Sequence, residues 1–426
     1  MPDLKLGGFS EGANNVFRED SLRPSQLRSA VNVDILPEGK IRRRLGYSLL
    51  VPMSDARSAY VHQGYVYVAD EGALKRVDLS DLSVESLAPI PASAALSYAV
   101  LNEYLYISSG DPQQSYRINS AGALEFWAPE FPEGQPTLSV VPLGALPAGD
   151  YQVAVAFLRG AEESGTGRAA GITLTETGAI QLTSLPKPER SDTTHIRVYA
   201  STANGTVLYS YGDFPAAAPA ISISNTPSGK QLETQFLEPL PAGHIIRNYR
   251  GRLYSAVSNI LFYSQALRYS QTNRSQDFIA FPERVTMVRP VENGLFVGTR
   301  TKALFLSGNT PGELQQTIVH HAGVVEGTDT VVPVGVFGFE SLTTGTVAVW
   351  WSTSGTMVIG LPNGQVQIVR EGELSLPEFT RGATMLREEN GVQQLLSVLQ
   401  QPKSEISALA AKDEAVVTVH RRGIEI

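Results

Sequence analysis

The sequence predicts an all-β protein: a six-bladed β-propeller closed by N-terminal strands, with a fibronectin type III-like β-sandwich inserted into it. Three observations carry that expectation. A two-strand unit recurs at a spacing of about forty residues, seen as GRLYSAVSNILFYSQAL and again as NGLFVGTRTKALFLSG between Gly251 and Gly308. Glycine (38) and proline (26) are plentiful while only 18% of the 426 residues are charged, which favours short strands and tight turns over helices with charged outer faces. A block of about a hundred residues then breaks the repeat with an alternation of its own.

Taken in order, residues 1 to about 30 are polar and glycine-rich, with a short helix expected around Ser25–Ala30. The stretch VNVDILPEGKIRRRLGY reads as a hairpin. Val31, Val33 and Ile35 alternate with polar residues, Pro37-Glu38-Gly39-Lys40 turns, and Ile41 opens a second strand carrying Arg42, Arg43 and Arg44. The repeat follows. Its innermost strands are expected to start near Ser58, Ala95, His244, Arg284, Thr330 and Gly382, roughly 37 to 52 residues apart outside the interruption, as four-stranded blades require. No fourth strand is evident after AVVTVHRRGIEI, so N-terminal strands are expected to complete the last blade. An open ring would otherwise expose two unpaired sheet edges. Further strands within Gln401–Glu414 would raise the count to seven.

The interruption opens after APEFPEGQPT. Tyr151, Val153, Val155 and Phe157 alternate cleanly, as do Ile196 with Val198 and Val207 with Tyr209. Its length and turn spacing fit a seven-stranded sandwich of fibronectin type III kind, hung between the second and third blades. Three segments result: 1–134, an N-terminal arm and the first part of the propeller; 135–238, the inserted sandwich; and 239–426, the remainder of the propeller.

Composition narrows the chemistry. The absence of cysteine excludes disulfides, cysteine-ligated zinc, thiol catalysis and iron–sulfur clusters. A net charge of −8 argues against a protein that neutralises nucleic-acid phosphates. MPDLKLGGFSEGANN lacks the pattern of a signal peptide, and no apolar run is long enough for a membrane helix. The chain is therefore expected to be soluble, without a membrane segment, and made in a cytoplasm.

No catalytic, cofactor or metal site is expected. Of the six histidines only His320 and His321 are adjacent, and neighbours in a strand point to opposite faces. Glu162-Glu163 and Glu388-Glu389 read as exposed turn charge. Gly165–Gly171 has neither the spacing of a dinucleotide fingerprint nor a following Lys-Ser/Thr. The turn Trp351–Met357 contains no aspartate, and Asn204-Gly205-Thr206 reads as a hairpin turn. Arg42, Arg43 and Arg44 carry two readings: a charged strand edge protected from aggregation, or a contact with an acidic neighbouring subunit or with DNA phosphate.

Three stretches resemble the tail nozzle (tail tubular protein B, or tail hub) family of short-tailed bacteriophages. The opening, GGFSEGANNVFREDSLRPSQLRSAVNVDILPEGKIRRRLGY, is similar to the family's start, with Leu45 where the family pattern has proline. LPAGDYQVAVAF and HIRVYAST resemble the sandwich inserts of phage structural proteins. AGHIIRNYRGRLYSAVSNILFYSQAL and the stretch from FIAFPERVTMV to GNTPGEL are similar to a blade pair of the family. The resemblance implies a structural virion protein, assembled in the bacterial host cytoplasm, that forms a homohexameric ring at the tail end. Such a ring would dock on a tail adaptor or tail-tube ring and hold fibre or needle proteins. It would retain packaged DNA until ejection, the DNA passing through the lumen without sequence-specific binding. The alternative is a β-propeller receptor- or glycan-binding protein of a virion or cell surface. An enzyme is not expected, because no carboxylate or histidine cluster recurs at the blade turns.

Overall fold

The computed structural model describes residues 8–36, 39–44, 46, 48–337, 345–389, 392–402, 414–420 and 423–425. Among them the regular elements are strands, apart from four 3-10 turns of three residues each. The N-terminal arm holds β1 (Gly12–Ala13), β2 (Gln26–Leu27), β3 (Val33–Ile35) and β4 (Ile41–Arg43). A first sheet follows from β5 (Arg57–His62), β6 (Tyr65–Asp70), β7 (Ala73–Asp78) and β8 (Val84–Pro89). The second is β9 (Ser97–Leu101), β10 (Tyr104–Ser108), β11 (Tyr116–Ile118) and β12 (Leu124–Phe126).

Eight strands then depart from this plan: β13 (Thr137–Leu146), β14 (Gly149–Arg159), β15 (Glu162–Thr166), β16 (Ala170–Leu174), β17 (Gly178–Thr183), β18 (His195–Ser201), β19 (Leu208–Pro215) and β20 (Ile221–Ile223). After β21 (Glu238–Pro239), a third four-stranded sheet takes β22 (Ile245–Tyr249), β23 (Arg252–Val257), β24 (Ile260–Tyr263) and, beyond β25 (Gln271–Thr272), β26 (Phe278–Ala280). The fourth is β27 (Val285–Val291), β28 (Gly294–Thr299), β29 (Ala303–Ser307) and β30 (Gln315–His320). The fifth is β31 (Thr330–Pro333), β32 (Thr346–Trp351), β33 (Met357–Gly360) and β34 (Val366–Ile368). The sixth is β35 (Arg381–Glu389), β36 (Val392–Gln400), β37 (Glu414–His420) and β38 (Gly423–Glu425).

Each of these sheets runs in chain order from one edge to the other. Their first two strands pair antiparallel. The first strands begin at Arg57, Ser97, Ile245, Val285, Thr330 and Arg381, within two residues of the starts expected from the repeat. Tight turns explain the regularity. Gln63-Gly64 (φ 48° and 82°), Asn102-Glu103 (50° and 66°) and Arg250-Gly251 (47° and 71°) are left-handed at both positions, the geometry that matches strand twist in a two-residue hairpin.

Contacts divide the chain into two compact units. One comprises residues 55–257 and 261–279. In it the first and second sheets share a core of Tyr67, Leu74, Tyr98, Leu105 and Ile107. The second and third share Leu101, Tyr106, Trp127, Ile246 and Leu253. Burying each such side chain stabilises the fold by about 1.5–3 kcal/mol relative to exposure. β9 and β22 lie side by side: Ile246 N donates to Ser97 Oγ at 2.9 Å, and Asn248 Nδ2 to Val100 O at 2.9 Å. The second and third sheets are thus direct neighbours although the eight-stranded block separates them in sequence. Trp127 Nε1 donates to Leu240 O at 2.9 Å, tying the point where the chain leaves to the point where it returns.

That block is a two-layer sandwich. β13, β17 and β20 form one layer; β14, β18 and β19, with β15 and β16, form the other. β15 and β16 pair successively along one edge of β14, so eight strands fill seven positions where seven strands were expected. Tyr151, Val153, Val155 and Phe157 point inward together, as the period of two demands, and meet Ile180, Leu182, Ile196, Val198 and Ile223.

The other unit comprises residues 1–54, 258–260 and 280–426. Its fourth and fifth sheets share Met287, Phe296, Phe305, Trp350 and Val358. The fifth and sixth share Val332, Val349, Trp351, Ile359, Leu395 and Leu399. Here too the Trp351 indole reaches across, donating to Ser397 Oγ at 3.0 Å.

Two expectations for the arm are corrected. No helix forms at Ser25–Ala30; Gln26–Leu27 instead pairs parallel with β1. Long-range partners outbid local helix formation there, since Asn14 N donates to Leu27 O at 2.7 Å and Gln26 Nε2 to Glu373 Oε1 at 3.3 Å. Among the described residues no N-terminal strand pairs with the sixth sheet. His420 pairs with Gly423, so the chain doubles back and supplies its own fourth strand, β38. The expected β3–β4 hairpin is present, with Val33 opposite Arg43 and Ile35 opposite Ile41, and runs close to β38. Gly39 takes the left-handed φ of 80° that its turn requires, while Pro37 and Glu38 of that turn lie outside the described residues. Most of Gln401–Glu414 also lies outside them.

Candidate functional site

The densest polar constellation stands where the sandwich meets the second sheet. β11 places Arg117 between Tyr116 and Ile118, all three buried. Its guanidinium, with only 4% of the side chain exposed, makes two hydrogen bonds to Glu162, of 2.6 and 2.9 Å, and one to Glu125 Oε2 of 2.7 Å. It also lies over the Tyr104 ring at 4.2 Å. Arg159, from the end of β14, donates to Glu162 Oε2 at 2.7 Å, to Phe126 O at 2.9 Å and to Asp192 Oδ2 at 3.3 Å. One glutamate thus bridges two arginines, and each arginine reaches from one layer into the next.

Electrostatics follow from the geometry. Burial alone would raise the Glu162 carboxyl, but the hydrogen bonds and charge of Arg117 and Arg159 outweigh it and hold the group below the ordinary carboxylate range. Glu162 is therefore ionised at neutral pH and suited to holding cations, not to donating a proton. Burial likewise opposes the Arg117 charge, and Glu162 restores it, raising its pKa overall. Next along β15, Glu163 accepts from Arg197 at 2.9 Å, Tyr199 at 2.7 Å and Thr234 at 3.1 Å. The expectation that Glu162 and Glu163 are exposed turn charge is corrected. Gly160 (φ 58°) and Ala161 make the whole turn, and both glutamates already belong to β15.

Clefts flank this anchor. One of about 600 Å³ is lined by Arg117, Phe126, Arg159 and Asp192, and another of about 480 Å³ by Tyr106, Glu163, Glu233 and Gln271. Tyr104 and Glu162 form part of both walls. Glu130 receives the backbone N–H groups of Glu189 and Arg190 at 2.7 and 3.0 Å, and Arg190 stacks on Phe126 at 4.3 Å.

The arginine run divides. Arg44 Nε reaches Asp34 Oδ1 at 3.1 Å and Arg42 lies 3.7 Å from the same carboxylate, whose side chain is fully buried. Arg43, between them on β4, faces the opposite way and is exposed. His320 and His321 border an open cleft of about 740 Å³ in the terminal unit, together with Ser354 and Glu371. Among the described residues no group of three His, Cys, Asp or Glu side chains comes together as a metal site would require. Gly165 and Gly167 serve close packing: a Cβ on Gly165 would lie 1.6 Å from Leu237 O, and one on Gly167 2.8 Å from Gly134 O. Glu388 is exposed and accepts from Gln393 Nε2 at 3.2 Å, but the expected turn position is corrected: Glu388 and Glu389 are the last two residues of β35. Sequence reasoning passed over Arg117, Arg159 and Glu130. The signal for Arg117 was an arginine set between two apolar residues of a short strand.

No family model matches this chain, and no curated protein does. Among solved structures it is similar to the N-terminal domain of Nup159, at 10% identity and a TM-score of 0.33, covering 84% of this chain and 76% of that one. It is also similar to an auxiliary nutrient binding protein from Bacteroides thetaiotaomicron, at 8% identity and a TM-score of 0.36, covering 80% and 66% of the two chains. A third likeness is to BBS1N in complex with ARL6DN, at 11% identity and a TM-score of 0.31, covering 81% and 89%. Likenesses this distant carry no functional argument.

Proposed function

We propose that this chain is the nozzle, or hub, subunit of a short bacteriophage tail. In this reading the six four-stranded sheets are the blades of one propeller and the sandwich is a fibronectin type III-like insert. Six copies form a ring that holds the packaged DNA, docks on a tail adaptor and carries fibre or needle proteins. One observation supports it most: within each unit, four-stranded sheets that follow one another in chain order share apolar cores, and ion pairs anchor the sandwich to the second sheet. That is the construction of a rigid scaffold. The sequence likeness of the opening arm, the insert and the blade pair points the same way. A net charge of −8 per copy suits a channel with little attraction for phosphate. Arg43 is the member of the arginine run available to an acidic neighbour or to DNA.

Light scattering after size exclusion, with negative-stain images of the same fraction, tests the reading. It expects particles of about six copies with an axial hole. A monomer at every concentration, or a monomer that binds a surface glycan or receptor instead, overturns it.

A further inference from the structure

Sheet edges in this chain are guarded unequally. Of the outermost strands of the six sheets, β12, β26, β34 and β38 are three residues long. β8 is longer but carries Glu85, paired with Arg76 at 2.6 Å. Shortness and charge both keep an edge from pairing with another chain. β30 has neither. Its six residues include no carboxylate, lysine or arginine, and Gln315, Gln316, Thr317 and Ile318 are exposed.

One side of the sandwich is open in the same way. β13 ends its layer, and the chain carries no charge between Glu133 and Asp150. β16, which lies close to β13, belongs to a second uncharged run between Arg168 and Glu176. The remaining edges are guarded, β19 by Asp213 paired with Arg197 at 2.6 Å and β20 by its length of three residues. Val140 of β13 is 51% exposed. Pro142 and the register shift after Val141 withdraw the second half of β13 from further pairing, leaving Thr137–Val141.

We propose that Thr137–Val141 of one copy pairs edge to edge with Gln315–Val319 of a second copy. The partner is argued from charge. Copies that each carry −8 repel one another, so they meet most readily where neither surface is charged. Both segments lie on strands that end their sheet orders, β13 beyond β17 and β30 beyond β29, and both are about five residues long, enough for a short ladder. Because the two edges differ, the contact is heterologous, the type that closes rings, whereas β13 against its own copy would stop at a dimer. This pairing rests on the ring reading above and adds the surface that builds it.

The chain has no cysteine, so introduced thiols report without background. Ser139→Cys and Thr317→Cys proteins, mixed and mildly oxidised, are expected to give the mixed cross-linked dimer in at least tenfold excess over either homodimer. Ser139→Lys and Thr317→Lys, both at exposed edge positions, are expected to raise the concentration needed for assembly at least tenfold with unchanged melting. A Ser139→Cys homodimer as the main product overturns the pairing, as does assembly of both lysine variants at the parent's concentration. In either case the parent's ring stands. A parent that never assembles overturns the ring and the pairing together.

Discussion

The Arg117 guanidinium grips the Glu162 carboxylate through two hydrogen bonds, of 2.6 and 2.9 Å, joining a strand of the second sheet to a strand of the sandwich. A planar five-donor fork makes that two-point contact and still leaves Nε for Glu125; a lysine in its place could not. The sandwich is held at this point by directional bonds as well as by apolar contact, which defines its orientation on the sheet below.

Removing the charge should expose its worth. Glu162→Gln leaves the buried Arg117 with Glu125 as its remaining carboxylate partner, and a loss of about 2–3 kcal/mol is expected in urea unfolding, below the 3–5 kcal/mol of a fully buried pair because Glu162 is partly exposed. A double-mutant cycle with Arg117→Met should return a coupling of about 1–3 kcal/mol.

Acid should act through the same carboxylate. The folded-state value of Glu162 lies below its ordinary 4.5. Its stabilisation is therefore complete above the ordinary glutamate range and is lost as pH falls through the lowered value. Denaturation midpoints measured from pH 7 down to pH 3 should fall more steeply for the parent than for Glu162→Gln. Equal slopes would sink the assignment.

The three consecutive arginines should behave differently. Arg43→Ala, at an exposed position, is expected to stay within about 0.5 kcal/mol of the parent. Arg44→Ala withdraws a partner from a fully buried aspartate and should cost about 3 kcal/mol. Thermal melts of the two variants decide the point.

Packing between the fourth and fifth sheets should tolerate no added carbon. A Cβ on Gly360 would stand 2.6 Å from the Phe296 ring and 2.8 Å from Trp350. Gly360→Ala is expected to destabilise by about 1–3 kcal/mol, and to quench or shift tryptophan fluorescence as the ring moves.

How much of this was legible in the chain depends on range. The first strand of each of the six four-stranded sheets was readable to within two residues, because hairpin turns and a period of two are local properties that neighbouring residues impose on one another. The sandwich core was readable for the same reason: Tyr151, Val153, Val155 and Phe157 announce a buried face without any partner. Residues whose role depends on distant partners were not. Glu162 follows a turn and is followed by glycine, and only Arg117, forty-five positions away, turns it from surface charge into a bridge.

The arm shows the same division. Sequence alone determined the β3–β4 hairpin, since alternation and a glycine turn suffice for it. It could not determine that Gln26 would abandon a helix for β1 and Glu373, or that β38 would supply the fourth strand of the last sheet. Those outcomes belong to the tertiary structure, because a contact between remote residues is stable only when the rest of the fold has already brought them together and met the loop-closure entropy.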